Sequence, residues 1–288
     1  MSTSLWIVLA LLAALLWAAS SLVDKFAVNW GYRTLEVLPA TYTAGFLVIA
    51  LRHQQTAELW QPRYIAGGAF LACFSLLNAI TLLMALRCGE VAMVSVVAGS
   101  HCVITALSAT LLLGERLSSA QWLAILLAMA GICLVFGLRQ AWLLTHQQGG
   151  RRRSYRWFWL ALLAAVGSSG ETIGLKLATT VSSGGQLTLI WEYFIASLVL
   201  HALVAGYRVR LRLRSSLFGL ADGVLTGLGM LVFGAALSTG PASLVATVAT
   251  AAVLFRALGG IILFGDRAGR GQWLGFCLLC IAFVLIRL

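Results

Sequence analysis

Leu113-Gly114-Glu115-Arg116-Leu117-Ser118-Ser119-Ala120-Gln121-Trp122-Leu123 decides the fold, because the chain uses the pattern twice. Its copy, 151 residues on, reads Phe264-Gly265-Asp266-Arg267 and then Gln272-Trp273-Leu274. Extending outward at that offset, Leu11, Leu12, Ala13 and Ala14 fall on Leu162, Leu163, Ala164 and Ala165. Lys25 falls on Lys176, Tyr42 on Tyr193 and Gly89 on Gly240, with no net gap. Each unit holds five long apolar segments, an odd number. If every segment spans a membrane, the second unit is upside down relative to the first. Inverted repeats are the architecture of secondary transporters, with the substrate site near the midplane where the repeats meet. The expected fold is all-α: a polytopic membrane protein of ten transmembrane helices in two inverted five-helix repeats. Residues 1–142 form the first repeat, 143–156 a basic linker and 157–288 the second repeat.

Composition supports a membrane protein. The 288 residues are 61% hydrophobic and 10% charged, against about 25% charged in a soluble domain. The mean hydropathy is +0.96. The net charge of +11 does not point to nucleic acid, because the charges fall between apolar runs, as topology signals do. The six cysteines, in or beside apolar runs, read as small buried hydrophobes rather than a disulfide framework or a zinc site. No Walker A sequence, metal cluster, cofactor motif or Ser nucleophile motif is present. The first segment reads as a spanning helix and not a cleaved leader, since it has a mate at 160–178.

A spanning helix needs about 20 mainly apolar residues. Ten segments are predicted at 5–27, 35–51, 64–86, 91–113, 118–140, 157–179, 186–206, 216–238, 242–264 and 270–287. Loops after odd-numbered segments carry thirteen arginines and the opposite face four (Arg52, Arg63, Arg116, Arg287). The positive-inside rule then puts both termini outside the cytoplasm.

The Lys closing the first segment of each repeat (Lys25, Lys176) and the doubled Gly-Glu/Asp-Arg…Gln-Trp run resemble the drug/metabolite transporter superfamily, within it the ten-helix EamA-type transporters. The resemblance covers the whole chain. It implies a basket around a central cavity lined by segments 1, 3, 4, 6, 8 and 9, with segments 5 and 10 outside. It implies transport of small metabolites or drugs, and termini in the cytoplasm, opposite to the charge count. Asp266 departs from the usual Glu.

Ionisable groups inside a bilayer cost roughly 2.5–3.5 kcal/mol each on insertion scales and mark function. Trp17, Ser20, Ser21 and Asp24 share one face of segment 1, and Ser168, Glu171 and Thr172 share the equivalent face of segment 6. Glu171 and Glu192 fall at similar depths, roughly 10 Å from one surface. Asp222 and Arg256 fall at similar depths from the other, so the two are expected to approach within salt-bridge distance or both to line the cavity. Asn78 and His101 complete the candidates. Carboxyl groups in a low-dielectric cavity suit proton exchange or binding of an organic cation, with Trp17, Trp191 and Tyr193 as aromatic faces. The structural alternatives are a Glu192–Lys176 pair, Arg256 as counter-ion of Asp222, His101 as a core histidine, and lysines that snorkel to the interface.

The functional expectation is a secondary active transporter moving a small polar or amphipathic metabolite by alternating access, with a proton as coupling ion. An exporter of organic cations or drugs and an amino-acid exporter are the competing readings within transport. A membrane-embedded structural protein or enzyme is the competing class. The partners are a small-molecule substrate, a proton and membrane lipid, with no nucleic acid and no cofactor. The protein is placed in the bacterial inner (plasma) membrane as a monomer or homodimer.

Overall fold

The computed structural model describes residues 5–51, 56–88, 91–135, 155–180, 184–264 and 269–286. The helices are α1 Leu5–Asn29, α2 Thr34–Leu51, α3 Thr56–Leu59, α4 Pro62–Cys88, α5 Val91–Gly99, α6 His101–Leu112, α7 Ser119–Val135, α8 Arg156–Thr179, α9 Gly184–Gly206, α10 Leu213–Thr239, α11 Ala242–Ala249, α12 Ala251–Phe264 and α13 Arg270–Leu285. No strand occurs among the described residues. Six stretches among them are long and apolar enough to cross a membrane: Leu5–Ala27, Pro62–Leu82, Arg156–Thr179, Gly185–Gly206, Leu213–Thr239 and Ala242–Leu263. Four shorter apolar helices, Leu35–Leu51, Val96–Leu112, Ser119–Val135 and Arg270–Leu285, complete the ten segments. Most of the basic linker, residues 143–154, lies outside the described residues.

Each residue of the doubled motif has a local task. Gly114 leaves α6 with φ +67, a conformation that costs other residues roughly 1–2 kcal/mol. Ser118 and Gln121 then form a reciprocal cap on α7: Gln121 N–H donates to Ser118 Oγ (3.2 Å) and Ser118 N–H to Gln121 Oε1 (3.0 Å). Such a cap satisfies two of the helix's orphan donors. Its mate on α13 keeps half of this, with Gly269 N–H donating to Gln272 Oε1 at 2.9 Å. Gly265, Asp266 and Arg267 lie outside the described residues.

The fourth segment of each repeat is broken, where one continuous helix is expected from sequence. Ser100 separates α5 from α6 and Thr250 separates α11 from α12. Both breaks are tight turns in which the backbone N–H reaches back three residues, Ser100 to Val97 O and Thr250 to Thr247 O. The side-chain hydroxyls donate to the same two carbonyls, each at 2.6 Å. A hydroxyl competing for the backbone in this way bends a helix. The short α3 is a further departure from the expected ten.

Helix directions follow from the contacts. Along α1 and α10, Trp6 meets Gly240, Trp17 meets Gly229 and Ser20 meets Asp222, so the two are antiparallel. Along α2 and α10, Val37 meets Gly219 and Gly45 meets Gly227, so these are parallel. Thr43 bonds Ser197 and Phe46 packs on Phe194, which makes α2 and α9 antiparallel. Gly67 meets Thr188 and Ser75 sits by Glu192, which makes α4 and α9 parallel. Asn78 meets Gly167 and Leu71 meets Gly174, which makes α4 and α8 antiparallel. Chaining these relations, α1 and α8 run in opposite directions. The fold is two inverted five-helix repeats.

The contacts also exchange in pairs. α1 packs on α10 as α8 packs on α4, and α2 on α10 as α9 on α4. α1 meets α11 and α12 as α8 meets α5 and α6, while α2 with α9 and α7 with α13 are self-paired. The principal partners of α1, α2, α4 and α7 all lie in the opposite repeat. Close approach comes from small residues, the usual membrane solution. α1 buries Ala10, Ala13, Ala14 and Ala18 and turns Val8, Leu12 and Leu15 outward. On α10, a methyl group at Gly223 would sit on the Thr41 carbonyl, and one at Gly227 would lie 2.9 Å from the Gly45 Cα. Cys73, Cys88, Cys277 and Cys280 face outward rather than into the core as expected. In a membrane span the outside is lipid, so an apolar thiol loses nothing there.

Candidate functional site

Tyr42 and Tyr193 are repeat mates, and their rings meet at a centroid distance of 5.3 Å. That contact marks the pseudo-two-fold between the units. Three further mate pairs surround it at the same offset of 151 residues: Ser20 with Glu171, Thr41 with Glu192 and Ser75 with Thr226. The internal symmetry has thus placed hydroxyls and carboxyls at equivalent points.

On one side of the tyrosines stands Asp222, 4% exposed. Ser20 Oγ donates to its Oδ1, Thr226 Oγ1 donates to the same atom at 3.4 Å, and the two hydroxyls lie 3.1 Å apart. Thr41 borders the same carboxyl. The mate of Asp222 is Leu71, so the other side has no such acid on α4.

That other side has two acids, on α8 and α9. Glu192 is 0% exposed, and neither carboxyl oxygen has a hydrogen-bond partner among the described residues. Glu171 and Ser75 are its polar neighbours, and Ser75 Oγ is 2.8 Å from Tyr42 Oη. An unsatisfied buried polar group costs roughly 1–3 kcal/mol, more when charged. Glu171 is only partly buried. The pair therefore has an inner member and an accessible one. Asn78 and Ser168 are also part-accessible, and neither side chain makes a hydrogen bond among the described residues. Thr172 is committed to its own helix, donating to Ser168 O at 3.0 Å. Tyr193 is buried against Tyr42.

A second cluster gathers where α12 packs on α1. Arg256 is exposed and makes no hydrogen bond or salt bridge among the described residues. Asp24, also exposed, is the carboxylate that faces it. His101, half-buried at the break of segment 4, feels the Arg256 charge and holds the Ala98 carbonyl through Nδ1 at 3.2 Å.

Several sequence expectations are corrected. Asp222 does not pair with Arg256: three hydroxyl residues surround the aspartate, and Asp24 faces the arginine. Equal depth on two helices did not fix which way each side chain turns. Glu192 does not pair with Lys176, and Lys176 does not snorkel. Its Nζ donates to Leu237 O (2.6 Å) and Gly240 O (2.7 Å), the open carbonyls at the end of α10. Trp17 lies over Gly229 and against Phe233, with ring centroids 4.9 Å apart. Trp191 is fixed by a 2.8 Å bond from Nε1 to Leu59 O. A crevice of about 220 Å³ runs between Arg63, Tyr64, Gly67, Phe70, Gly174 and Leu177, and none of the expected site residues lines it.

Glu115 is a residue whose task sequence alone did not show. Its Oε1 accepts from Ala242 N–H at 2.6 Å, and its Oε2 accepts from Ser243 N–H at 3.2 Å and from Ser243 Oγ. A carboxylate here caps the first turn of α11 and complements its dipole. Glu115 and Lys176 thus hold the Gly240-Pro241 turn from both ends, one on its amides and one on its carbonyls. Their mates are Asp266 and Lys25, the former outside the described residues.

Residues 4–137 match the family model described as the EamA-like transporter family. That match, over the first repeat, supports a place in the drug/metabolite transporter superfamily. A protein known from a crystal structure superposes at a TM-score of 0.80, with 18% identity over 100% of this chain and 99% of that one. That likeness concerns the fold. The search of curated proteins finds no match. The matched family is one of membrane transporters of the drug/metabolite type, and the apolar helices described above agree with a multi-pass membrane protein.

Proposed function

We propose that the chain is a secondary active transporter that carries a small polar or amphipathic metabolite by alternating access. Glu171 and Glu192 exchange a proton, and the units at 1–142 and 157–288 rock about the tyrosine contact. The observation that carries this is the mate exchange. Positions held by Ser20 and Thr41 in one repeat hold Glu171 and Glu192 in the other, where neither oxygen of Glu192 makes a hydrogen bond among the described residues. A site that binds substrate near the contact of inverted repeats fits transporters of this architecture. A second reading, amino-acid export, draws support from Arg256, a guanidinium available to a substrate carboxylate. The proposed setting is a bacterial inner membrane. The test is Glu171→Gln in proteoliposomes. The amide keeps shape and hydrogen bonding, so the fold is expected to survive and the pH dependence of uptake to vanish. An unchanged pH profile would sink the coupling role.

A further inference from the structure

The loop between α9 and α10 reads Tyr207-Arg208-Val209-Arg210-Leu211-Arg212-Leu213-Arg214, an arginine at every second position. Residues 209–212 have no helix or strand, and Arg212 is extended at φ −102, ψ 142. An extended chain sends alternate side chains to opposite faces. Around Arg212 this places Arg210 and Arg212 on one face and Leu211 on the other, while Leu213 and Arg214 carry the same alternation of residue types into the first turn of α10. All four arginines are exposed, and so are Tyr207, Leu211 (46%) and Leu213 (79%). The way the chain enters this strip is informative. α9 ends with Val209 N–H on Val204 O and Arg208 N–H on Ala205 O, a Schellman arrangement whose left-handed position is normally glycine. Here Arg208 occupies it at φ 50, the sole non-glycine residue with positive φ among the described residues. The neighbouring turn between α1 and α2 adds Trp30, 59% exposed. The Arg214 guanidinium sits 5.9 Å from the Trp30 ring centroid, and Phe218 packs on both Trp30 and Tyr32.

We infer that residues 207–214, with Trp30, form a docking strip for anionic phospholipid headgroups. The strip starts where one spanning helix ends and stops where the next begins, so it lies at the membrane surface. Its apolar face and Trp30 suit the interfacial layer, where aromatic rings settle. Its arginines meet phosphate, each contributing about fivefold to binding. A soluble acidic protein would use the cationic face and leave Leu211, Leu213 and Tyr207 in water.

Fluorescent phosphatidylglycerol, titrated against the purified full chain in mixed micelles with phosphatidylcholine as reference, tests this. Wild type is expected to prefer phosphatidylglycerol. The variant R210Q/R212Q/R214Q should lose affinity on the order of a hundredfold, and R151Q/R152Q/R153Q, which removes the same charge elsewhere, clearly less. Arg208→Gly should lose about fivefold while its melting temperature stays level or rises, because glycine takes the left-handed conformation freely. Equal losses in the two triple variants, or no preference for phosphatidylglycerol in wild type, would overturn the proposal. Displacement of the lipid by polyglutamate in a variant with Leu211→Ser and Leu213→Ser that still binds like wild type would assign the strip to an acidic protein instead.

Discussion

The two sides of the tyrosine contact are built from the same four mate positions and solve opposite problems. On one side a single acid, Asp222, is surrounded by Ser20, Thr41 and Thr226. On the other, Glu192 is walled in beside Glu171 and Ser75, and neither of its oxygens meets a donor at hydrogen-bond geometry among the described residues. Inverted symmetry ordinarily repeats a site. Here two substitutions between mates, hydroxyl to carboxyl, turn one copy into a satisfied structural node and the other into a site with spare acceptor capacity. Buried polar groups are nearly always paired. The unpaired copy is the one to probe for exchange of protons or ligands.

The widest effect is expected when the second side is given the residues of the first. E171S/E192T should leave uptake into proteoliposomes independent of pH and at least about tenfold slower, a barrier change of about 1.4 kcal/mol from loss of the chemistry itself. Retained pH-dependent uptake would break the comparison. Asp222→Ala removes the acceptor for Ser20 and Thr226. Hydrogen bonds to charged groups contribute about 1.5–3 kcal/mol each, so stability should fall by about 3 kcal/mol, read as a lower melting temperature in detergent. Glu115→Ala frees the first turn of α11 and should cost about 2 kcal/mol, the upper range for a helix cap. Glu192→Gln should change stability by less than about 1 kcal/mol, because no existing bond is broken. A loss as large as that of Asp222→Ala would show that Glu192 has a donor after all.

The ten apolar segments and the inversion were legible because they rest on spacing. An offset of 151 residues needs no coordinates to be seen. The same offset could have found Ser75, Thr226 and Thr41, since each is the mate of another polar residue. What spacing could not supply was the direction of a side chain about its helix. Asp222 and Arg256 share a depth, yet one turns to hydroxyls on α1, α2 and its own helix and the other to Asp24. Lys176 read as an interface residue because its partners are backbone carbonyls, which leave no trace in side-chain patterns. The breaks at Ser100 and Thr250 were hidden for a related reason. A serine or threonine inside an apolar run is ordinary until its hydroxyl is seen on the carbonyl three residues back.

The interleaving of the repeats has a consequence for biogenesis. When the ribosome has delivered α1 to α7, the surfaces of α1, α2 and α4 that end up against α8, α9 and α10 have nothing yet to rest on. Thr41, Tyr42 and Ser75 then meet lipid or one another until the second half inserts, and assembly has to wait for the last helices. Early release of a nascent chain at residue 135 would leave a fragment without a core of its own, while the two halves made as separate polypeptides in one membrane retain every surface needed to find each other.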